Sequence, residues 1–393
     1  MRIFFSAGEP SGDQHAAHLI KALQQQNSGI KAEGFGGPEM GRVGCSLHFE
    51  LTQMAVMGFV RVLPMIAKFR RLVIKAEKHF DENPPDAVVL VDFPGFNWWI
   101  AKAAKKRGIP VYYYLPPQLW ACAPWRIKKI RRFVDHVICG LPFEYDWYRD
   151  RGVEATWVGH PFFDEVAAKQ LDTDLVAELR GRDDQRLIGV LPGSRHNEVV
   201  RNFPIMLQAL QEVSDKCPAA RFVVGAYKEE HVAICRQFQD EANCRCDITY
   251  FVDRTSEVVE AADCCLMVSG SISLELLARR TPGIVLYRIA LLEDWISRFL
   301  QNCRFITLTN LIADEEVMPE FKSSGNPQKH VDAISQWLIE NCTDSDVLKS
   351  RRQTMSELAQ KAADIGAGKR TADVILNLLA NEASSADSQQ VAA

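Results

Sequence analysis

Short runs of β-branched and aromatic residues alternate with helix-length segments along most of this chain, and no other feature limits its possible folds so sharply. Residues 3–7, 32–35, 86–91, 111–115, 134–139 and 155–158 are such runs. The first is followed by a helical pattern over 11–26. Ala87-Val88-Val89-Leu90-Val91 is apolar without a break, which suits a strand covered on both faces. Strands alternating with helices are the pattern of a doubly wound α/β domain with a parallel sheet.

The pattern then starts again. After a polar stretch, 164–186, come 187–191, 222–225, 248–252, 264–268 and 283–287. Charge changes at the same boundary. Residues 1–165 hold 21 Lys and Arg against 17 Asp and Glu, whereas the remainder holds 25 against 33. Two Rossmann-like domains are therefore expected, over 1–165 and 166–340. From Pro327 the pattern turns helical, which predicts C-terminal helices over 341–382. Residues 383–393, rich in Ala, Ser and Gln, predict a disordered tail. In open α/β sheets ligands bind outside the carboxyl ends of the strands, so two such domains facing each other would make a cleft.

The 393 residues are 47% hydrophobic and 24% charged, enough for two cores, which excludes a disordered or fibrous chain. No uncharged apolar run reaches the ~18 residues of a membrane span. The apolar stretch after Met1-Arg2 is too short for a signal peptide. The eleven cysteines are scattered and form no Cys-x-x-Cys, which argues for reduced, packed thiols of a cytosolic protein rather than a zinc or redox site. The excess of cations in the first domain points to an anionic partner: nucleic acid, a membrane surface or a phosphorylated substrate.

Several motifs fall just after strands. Gly8-Glu9-Pro10-Ser11-Gly12-Asp13 opens the first helix; it is not Gly-x-Gly-x-x-Gly, so a dinucleotide site is poorly supported. Ser11 could cap that helix and Asp13 favour its positive end. Asp92 closes the fully apolar strand, where a carboxylate is costly without a task or a partner. Partial burial would raise its pKa, as a general base requires; capping the next helix is the plainer alternative. Leu191-Pro192-Gly193-Ser194-Arg195 offers backbone amides and a guanidinium at a helix N-terminus, an anion site. Ser269-Gly270-Ser271 repeats this geometry, and Glu275, one turn on, could grip a ribose diol. Two small-residue phosphate loops in one domain suggest a nucleoside diphosphate. His160 in Gly159-His160-Pro161 is as readily structural as functional. Asp172-Thr173-Asp174 has the form of a metal-binding Asp-x-Asp, but helix capping is the better reading.

Residues 54–69 are apolar apart from Arg61 and Lys68 and lead into Arg70, Arg71, Lys75 and Lys78. The segment could enter a bilayer interface with its cations on anionic headgroups, or be a core helix with a solvated end. Arg126-Ile127-Lys128-Lys129-Ile130-Arg131-Arg132 predicts a basic amphipathic helix with both isoleucines inward.

Further motifs occur in a fixed order with these: Met57-Gly58, Asp92-x-Pro94-x-Phe96-Asn97, Pro142-Phe143-Glu144, Gly193-Ser194-Arg195-x-x-Glu198, Ser269-Gly270-x-x-x-Leu274-Glu275 and Asn310-Leu311. The ordered set, spanning about 3–313, resembles the lipid-A-disaccharide synthase family, inverting glycosyltransferases of the GT-B fold. The resemblance implies transfer of 2,3-diacylglucosamine from its UDP derivative to 2,3-diacylglucosamine 1-phosphate. It implies a peripheral enzyme on the cytoplasmic face of the inner membrane, with no cofactor, no metal and no nucleic-acid partner, and it leaves a homodimer open. By match to the family, Asp92 is the base, Glu9 and Ser11 line the catalytic site, and Gly193, Ser194, Arg195, Glu198, Ser269, Gly270, Ser271, Glu275 and Asn310 bind the UDP-sugar. Met57, Phe59, Arg70, Arg71 and Arg126 would form the acceptor and lipid surface. Three positions depart from the family pattern: Gly95 stands for an Asp, Trp120-Ala121-Cys122-Ala123 lacks an Arg, and Thr309 stands for a Pro. A UDP-sugar 2-epimerase of the same fold and a non-catalytic membrane-bound relative are the alternatives.

Overall fold

The computed structural model describes residues 1–55, 62–181, 185–290 and 303–391. The chain divides into two compact units, one of 1–164 with 365–393 and one of 165–364. Each expected run is a strand.

The first unit holds β1 (Arg2–Ala7), β2 (Lys31–Gly36), β3 (Ser46–Glu50), β4 (Ala87–Val91), β5 (Val111–Tyr114), β6 (His136–Cys139) and β7 (Ala155–Trp157). They form one parallel sheet in the order β3-β2-β1-β4-β5-β6-β7. Side chains alternate across it, as the strand pleat requires. Phe4, Val88, Leu90 and Tyr113 enter the core on one face. Ile3, Phe5, Val89 and Tyr112 enter the core on the other. The first face is covered by the helices Val62–Glu82, Pro94–Lys105 and Ile127–Phe133.

The second unit holds β8 (Arg186–Leu191), β9 (Ala220–Ala226), β10 (Ile248–Val252), β11 (Cys264–Met267), β12 (Gly283–Arg288) and β13 (Glu320–Ser323). Its sheet is parallel in the order β10-β9-β8-β11-β12-β13. The helices His196–Lys216 and Gln328–Thr343 bury Phe203, Met206, Leu210, Ile334 and Leu338 against one face.

The C-terminal helices do not form the separate block that the sequence suggests. Gln328–Thr343 and Ser345–Ala362 belong to the second unit, whereas Ala367–Val391 returns to the first. There Ala372, Ile375 and Leu379 are buried in the core that also holds Ala16, Leu19 and Leu23 of the helix Pro10–Gln26. Asp164 clamps the start of this return by accepting from the Gly366 and Gly368 amides, and Arg370 donates to the Val158 carbonyl (2.7 Å). The same helix runs to Val391, through the segment expected to be a disordered tail. All eleven cysteines are free thiols. Among the described residues no helix is long and apolar enough to cross a membrane.

Candidate functional site

In the first unit the residues of interest collect at the carboxyl ends of β1, β4, β5 and β6. The turn after β4 is unusual. Asp92 (φ 45°) and Phe93 (φ 44°) are consecutive left-handed residues, and neither is glycine. Each such residue costs about 1–2 kcal/mol. The turn is held by Asn97, which is fully buried in the helix Pro94–Lys105. Asn97 Nδ2 donates to the carbonyls of Asp92 (2.7 Å), Ser6 (3.1 Å) and Val91 (3.3 Å), and its Oδ1 accepts from Ser6 Oγ (2.7 Å). Tyr113 of β5 donates its hydroxyl to the same Asp92 carbonyl (2.8 Å). The backbone at Asp92 is thus tied to β1 and β5 while its carboxyl stays half-buried. Burial raises the Asp92 pKa, opposed by the Phe93 amide and by His15. Asp92 does not cap the helix; the N-cap position is Phe93, without a side-chain cap.

Glu9 is the N-cap residue of the first helix, again without a side-chain cap, and Ser11 is exposed one residue inside it. The capping expected of Ser11 is therefore not made. Asp13 does something the sequence did not suggest. It is buried and accepts from the amides of Gly37 (2.8 Å), Glu39 (2.9 Å) and Met40 (3.1 Å), closing the N-terminus of the next helix, Pro38–Arg42. His160 packs edge-on to His15 at 6.0 Å, and its Nδ1 accepts from the Phe162 amide (3.2 Å).

Glu144 was noticed only as part of a motif, yet it is the most perturbed carboxyl at this end of the sheet. It lies in the first turn of the helix Pro142–Arg149, only 4% exposed, and Oε1 accepts from Trp120 Nε1 at 2.9 Å. Burial pushes it up to about 7, with repulsion from Asp92 adding to the shift and the Trp120, Leu141 and Gly140 donors opposing it.

In the second unit, β8 runs into Gly193-Ser194-Arg195 and the helix His196–Lys216. The amides of Ser194 (3.0 Å) and Arg195 (3.2 Å) are already occupied by Glu198 Oε2, and Arg195 Nη1 donates to Glu198 Oε1 (2.9 Å). The donors expected to meet an anion are here taken by the chain's own carboxylate. A cavity of about 400 Å³ adjoins it, lined by Arg195, Glu198, Arg201, Asn202, Arg288 and Lys322 among others. Four cations against one carboxylate give it a lining of net positive charge. Arg201, Arg288 and Lys322 were missed from sequence, because only the sheet brings the end of β12, β13 and this helix together.

Ser269 Oγ donates to the Ile306 carbonyl (3.3 Å); Gly270 and Ser271 are exposed at the start of the helix Ile272–Arg279. Glu275 is buried, and its Oε1 accepts from Arg279 Nε (3.0 Å), which removes one of the two oxygens expected to meet a ribose. Asn310 is fully buried. It donates to Met318 O (2.7 Å) and Glu320 Oε1 (2.8 Å) and accepts from the amides of Val317 (2.9 Å) and Met318 (2.8 Å). These four bonds use its full capacity, so it braces the chain before β13 rather than presenting an amide to a ligand. Thr309, in place of proline, donates to the Ser273 carbonyl (2.8 Å). Asp172 caps the helix Thr173–Arg180 through the Leu175 amide (3.1 Å), as its capping reading expects.

Arg70, Arg71 and Arg126 are exposed on the helices over the first face of the first sheet. Met57 and Phe59 lie outside the described residues, whereas Met54 and Phe69, at the two ends of the segment, are packed in the core. Ile127 and Ile130 are buried and Lys128, Lys129, Arg131 and Arg132 exposed, the amphipathic pattern expected.

Among the described residues one group could offer three atoms to a metal: Glu33, His48 and His79, within 4.8 Å of one another. Glu33 Oε1 already accepts from His79 Nε2 (2.8 Å) and lies 3.6 Å from Arg2 Nε, so the protein itself partners that carboxylate. Glu33 and His48 lie within β2 and β3, whereas Asp92 stands in the turn after β4.

A family model described as lipid-A-disaccharide synthetase matches residues 3–373. The lipid-A-disaccharide synthase of Trichlorobacter lovleyi is 33% identical over 383 residues, 96% of this chain and 97% of its own length. That of Myxococcus xanthus is 33% identical over 382 residues, again 96% and 97%. Among solved structures, MnaA of S. aureus with UDP matches with a TM-score of 0.64 at 13% identity, over 96% of both chains. The UDP-GlcNAc 2-epimerase of Neisseria meningitidis bound to UDP-GlcNAc matches at 0.63 and 14%, over 97% of this chain and all of that one. The calicheamicin glycosyltransferase CalG4 matches at 0.61 and 14%, over 97% and 99%. At such identities these likenesses show the fold alone, the GT-B class expected. By family model and by sequence the chain belongs to the lipid-A-disaccharide synthases, glycosyltransferases of lipid A biosynthesis.

Proposed function

We propose that this glycosyltransferase moves 2,3-diacylglucosamine from UDP-2,3-diacylglucosamine to 2,3-diacylglucosamine 1-phosphate, with inversion, giving the β-1,6 disaccharide phosphate and UDP. The observation that carries the reading is the Asp92 carboxyl, half-buried on a locked turn at the end of a buried strand. Its raised pKa makes it a stronger base than a solvated carboxylate. In the proposed step the acceptor 6-hydroxyl oxygen bonds to the anomeric carbon and its proton passes to Asp92. The bond from that carbon to the diphosphate breaks, and UDP leaves. The Arg195, Arg201, Arg288 and Lys322 pocket suits the diphosphate, whose growing charge these cations stabilise without a metal. The UDP and UDP-GlcNAc carried by two structural relatives support a uridine nucleotide as the donor's handle.

The acylated substrates call for a lipid surface. The adjoining helices Val62–Glu82, Pro94–Lys105 and Ile127–Phe133 leave Ile66, Ile74 and Trp99 exposed, and Trp125 stands exposed just before the last of them. Arg70, Arg71, Lys128, Lys129, Arg131 and Arg132 are exposed on the same helices. Aromatic and apolar groups among cations suit a peripheral contact with anionic lipid, here the cytoplasmic face of the inner membrane.

UDP release tests the reaction. Transfer gives UDP only when the acceptor is present; an epimerase gives it without acceptor, and a non-catalytic relative never does. Asp92→Asn should lower the rate by about 10²–10⁴ while UDP affinity stays within a few-fold. A variant that keeps a tenth of wild-type turnover removes Asp92 as the base.

A further inference from the structure

Three donor side chains converge on one face at the edge of the first sheet. Glu33 of β2 is in register with Phe4 of β1 and shares its face. His79 reaches the same place from the last turn of the helix Val62–Glu82. His48 arrives there through a bulge: the register between β2 and β3 slips, so that Leu47 stands opposite Gly34 and Phe49 opposite Phe35. The extra residue is His48. It is turned to the Phe4 face together with Phe49, whereas Leu47 packs on the other core. We propose that Glu33, His48 and His79 bind one divalent ion of the zinc type, which ties the edge strand β3 to β2 and to the helix Val62–Glu82.

The spacing suits such an ion. Glu33 Oε1 lies 2.8 Å from His79 Nε2, Glu33 Oε2 lies 3.8 Å from His48 Nε2, and the three donor atoms all fall within 4.8 Å of one another. Bonds of about 2.0–2.2 Å in a tetrahedral site set the ligand atoms about 3.4 Å apart, so side-chain shifts of about 1 Å complete the set. Two imidazoles and a carboxylate, with water in the fourth position, favour zinc over calcium or magnesium, which take oxygen ligands. His48 Nε2 is buried and makes no hydrogen bond, and a metal bond would satisfy it. Burial lowers the His48 pKa, with His79 and Lys75 adding to the effect and Glu33 opposing it, so the ring is neutral, the form that binds a metal. The Phe4 ring, 6.0 Å from each imidazole, gives the group an apolar floor. Two cations compete. Arg2 Nε lies 3.6 Å from Glu33 Oε1, and Lys75 Nζ donates to the His48 carbonyl (2.6 Å). The Arg2 side chain is 34% exposed and Lys75 is exposed, so both can withdraw as an ion enters. Binding exchanges the His79–Glu33 hydrogen bond for metal bonds, and the proton of the neutral His79 ring moves to Nδ1. The ion's work is structural, and the inference does not depend on the role of Asp92.

The test uses the full chain without an affinity tag, stripped of metal with a chelator and dialysed. Zinc should bind with a micromolar or tighter Kd by calorimetry, and zinc at a hundredfold above Kd should raise Tm by about 5–10 °C. Glu33→Gln, His48→Gln and His79→Gln should each weaken that binding at least a hundredfold and abolish the rise. Neither heat nor a Tm change at millimolar zinc overturns the proposal. The eleven cysteines are free thiols that could take zinc themselves, and cobalt(II) separates the two cases. A visible cobalt band without thiolate charge transfer, lost in His79→Gln, supports the site; a thiolate spectrum unchanged in that variant overturns it. If the variants fail to fold, wild-type crystals grown with zinc decide. An anomalous peak bonded to Glu33, His48 and His79 supports the proposal, and a peak only elsewhere, or none, refutes it. Well below Tm, the stripped chain should release UDP within twofold of the zinc-loaded chain. Release that needs added zinc would make the ion part of the reaction and overturn its structural role.

Discussion

The Phe93 ring occupies the space that a side chain on Gly8 would need: a β-carbon built on Gly8 would stand 2.0 Å from Phe93 Cδ1 and 2.3 Å from Cγ. The turn after β1 and the turn after β4 are therefore fitted to each other, and the fit bears directly on the residue beside Phe93. Asp92 keeps its left-handed backbone because Asn97 and Tyr113 hold its carbonyl and because Gly8 gives Phe93 room.

Gly8→Ala should consequently act on catalysis more than on donor binding. The ring must move, and overpacking of this kind costs about 1–3 kcal/mol. Moving Asp92 by as little as 1 Å lowers the rate by up to ~10²-fold. The expected result is a kcat at least tenfold down, with UDP affinity within twofold. Adding Phe93→Ala to Gly8→Ala should recover part of that loss, since the clash is then removed. Steady-state kinetics on the single and double variants check this; a Gly8→Ala enzyme with kcat within twofold of wild type refutes it.

In the second unit the contest is between two anions for one helix N-terminus. Glu198 holds the Ser194 and Arg195 amides and the Arg195 guanidinium. A diphosphate that uses those donors must displace it. Arg195→Ala removes a charge-assisted contact, about 1.5–3 kcal/mol, and should weaken UDP binding tenfold or more. Glu198→Gln keeps the side-chain size but removes the competing charge, and should tighten UDP binding a few-fold. Calorimetry with UDP reads both. Opposite signs are the expected signature, and weaker binding in both variants would mean that Glu198 does not compete.

Most of the strand framework was legible because each central strand is a continuous apolar run such as Ala87-Val88-Val89-Leu90-Val91. The two strands not foreseen, Ser46–Glu50 and Glu320–Ser323, lie at sheet edges, are short and carry charges, so they show no such run. The return of Ala367–Val391 to the first unit was also hidden, since Ala372, Ile375 and Leu379 state only that one helix face is apolar, not which core it meets. Asp92 stood out because a carboxylate ends an apolar strand. Asp13 and Asn310 were singled out for other roles, at a helix end and at the UDP-sugar, and Asn97 only within a motif, because their bracing work is done through hydrogen bonds to residues that only the fold brings near. Glu144 was only one residue of a motif until the Trp120 contact and its burial were known.

Gly95 stands where the resemblance to the family implies an aspartate, and there is room for one. A β-carbon there meets nothing within 4 Å, the residue is exposed, and it is the second residue of the helix Pro94–Lys105. An acid in a first helical turn meets the positive end of the helix, worth about 0.3–1 kcal/mol, and glycine is a poorer helix former than aspartate. Gly95→Asp should raise Tm by about 1–3 °C in a unit of this size. Thermal unfolding checks it, and a lowered Tm would show that the added charge, near Asp92, outweighs the helix gain.

The exposed tryptophans give the lipid surface its sharpest test. Trp99 is 56% and Trp125 63% exposed, so replacing them removes no core packing. Exposed substitutions usually change stability by no more than about 0.5 kcal/mol, and the double variant Trp99→Ser, Trp125→Ser should stay folded. Indole rings favour the headgroup level of a bilayer, while each nearby Lys or Arg contributes about 1 kcal/mol on an anionic surface and is screened by salt. The wild type should co-sediment with anionic vesicles at low salt, less so at high salt, and weakly with zwitterionic ones. The double variant should lose most of this binding and keep its UDP affinity. Adding Lys128→Ser and Lys129→Ser should remove the salt-dependent remainder. A folded double variant that binds vesicles as well as wild type would move the contact away from these helices, with residues 56–61 the next stretch to replace.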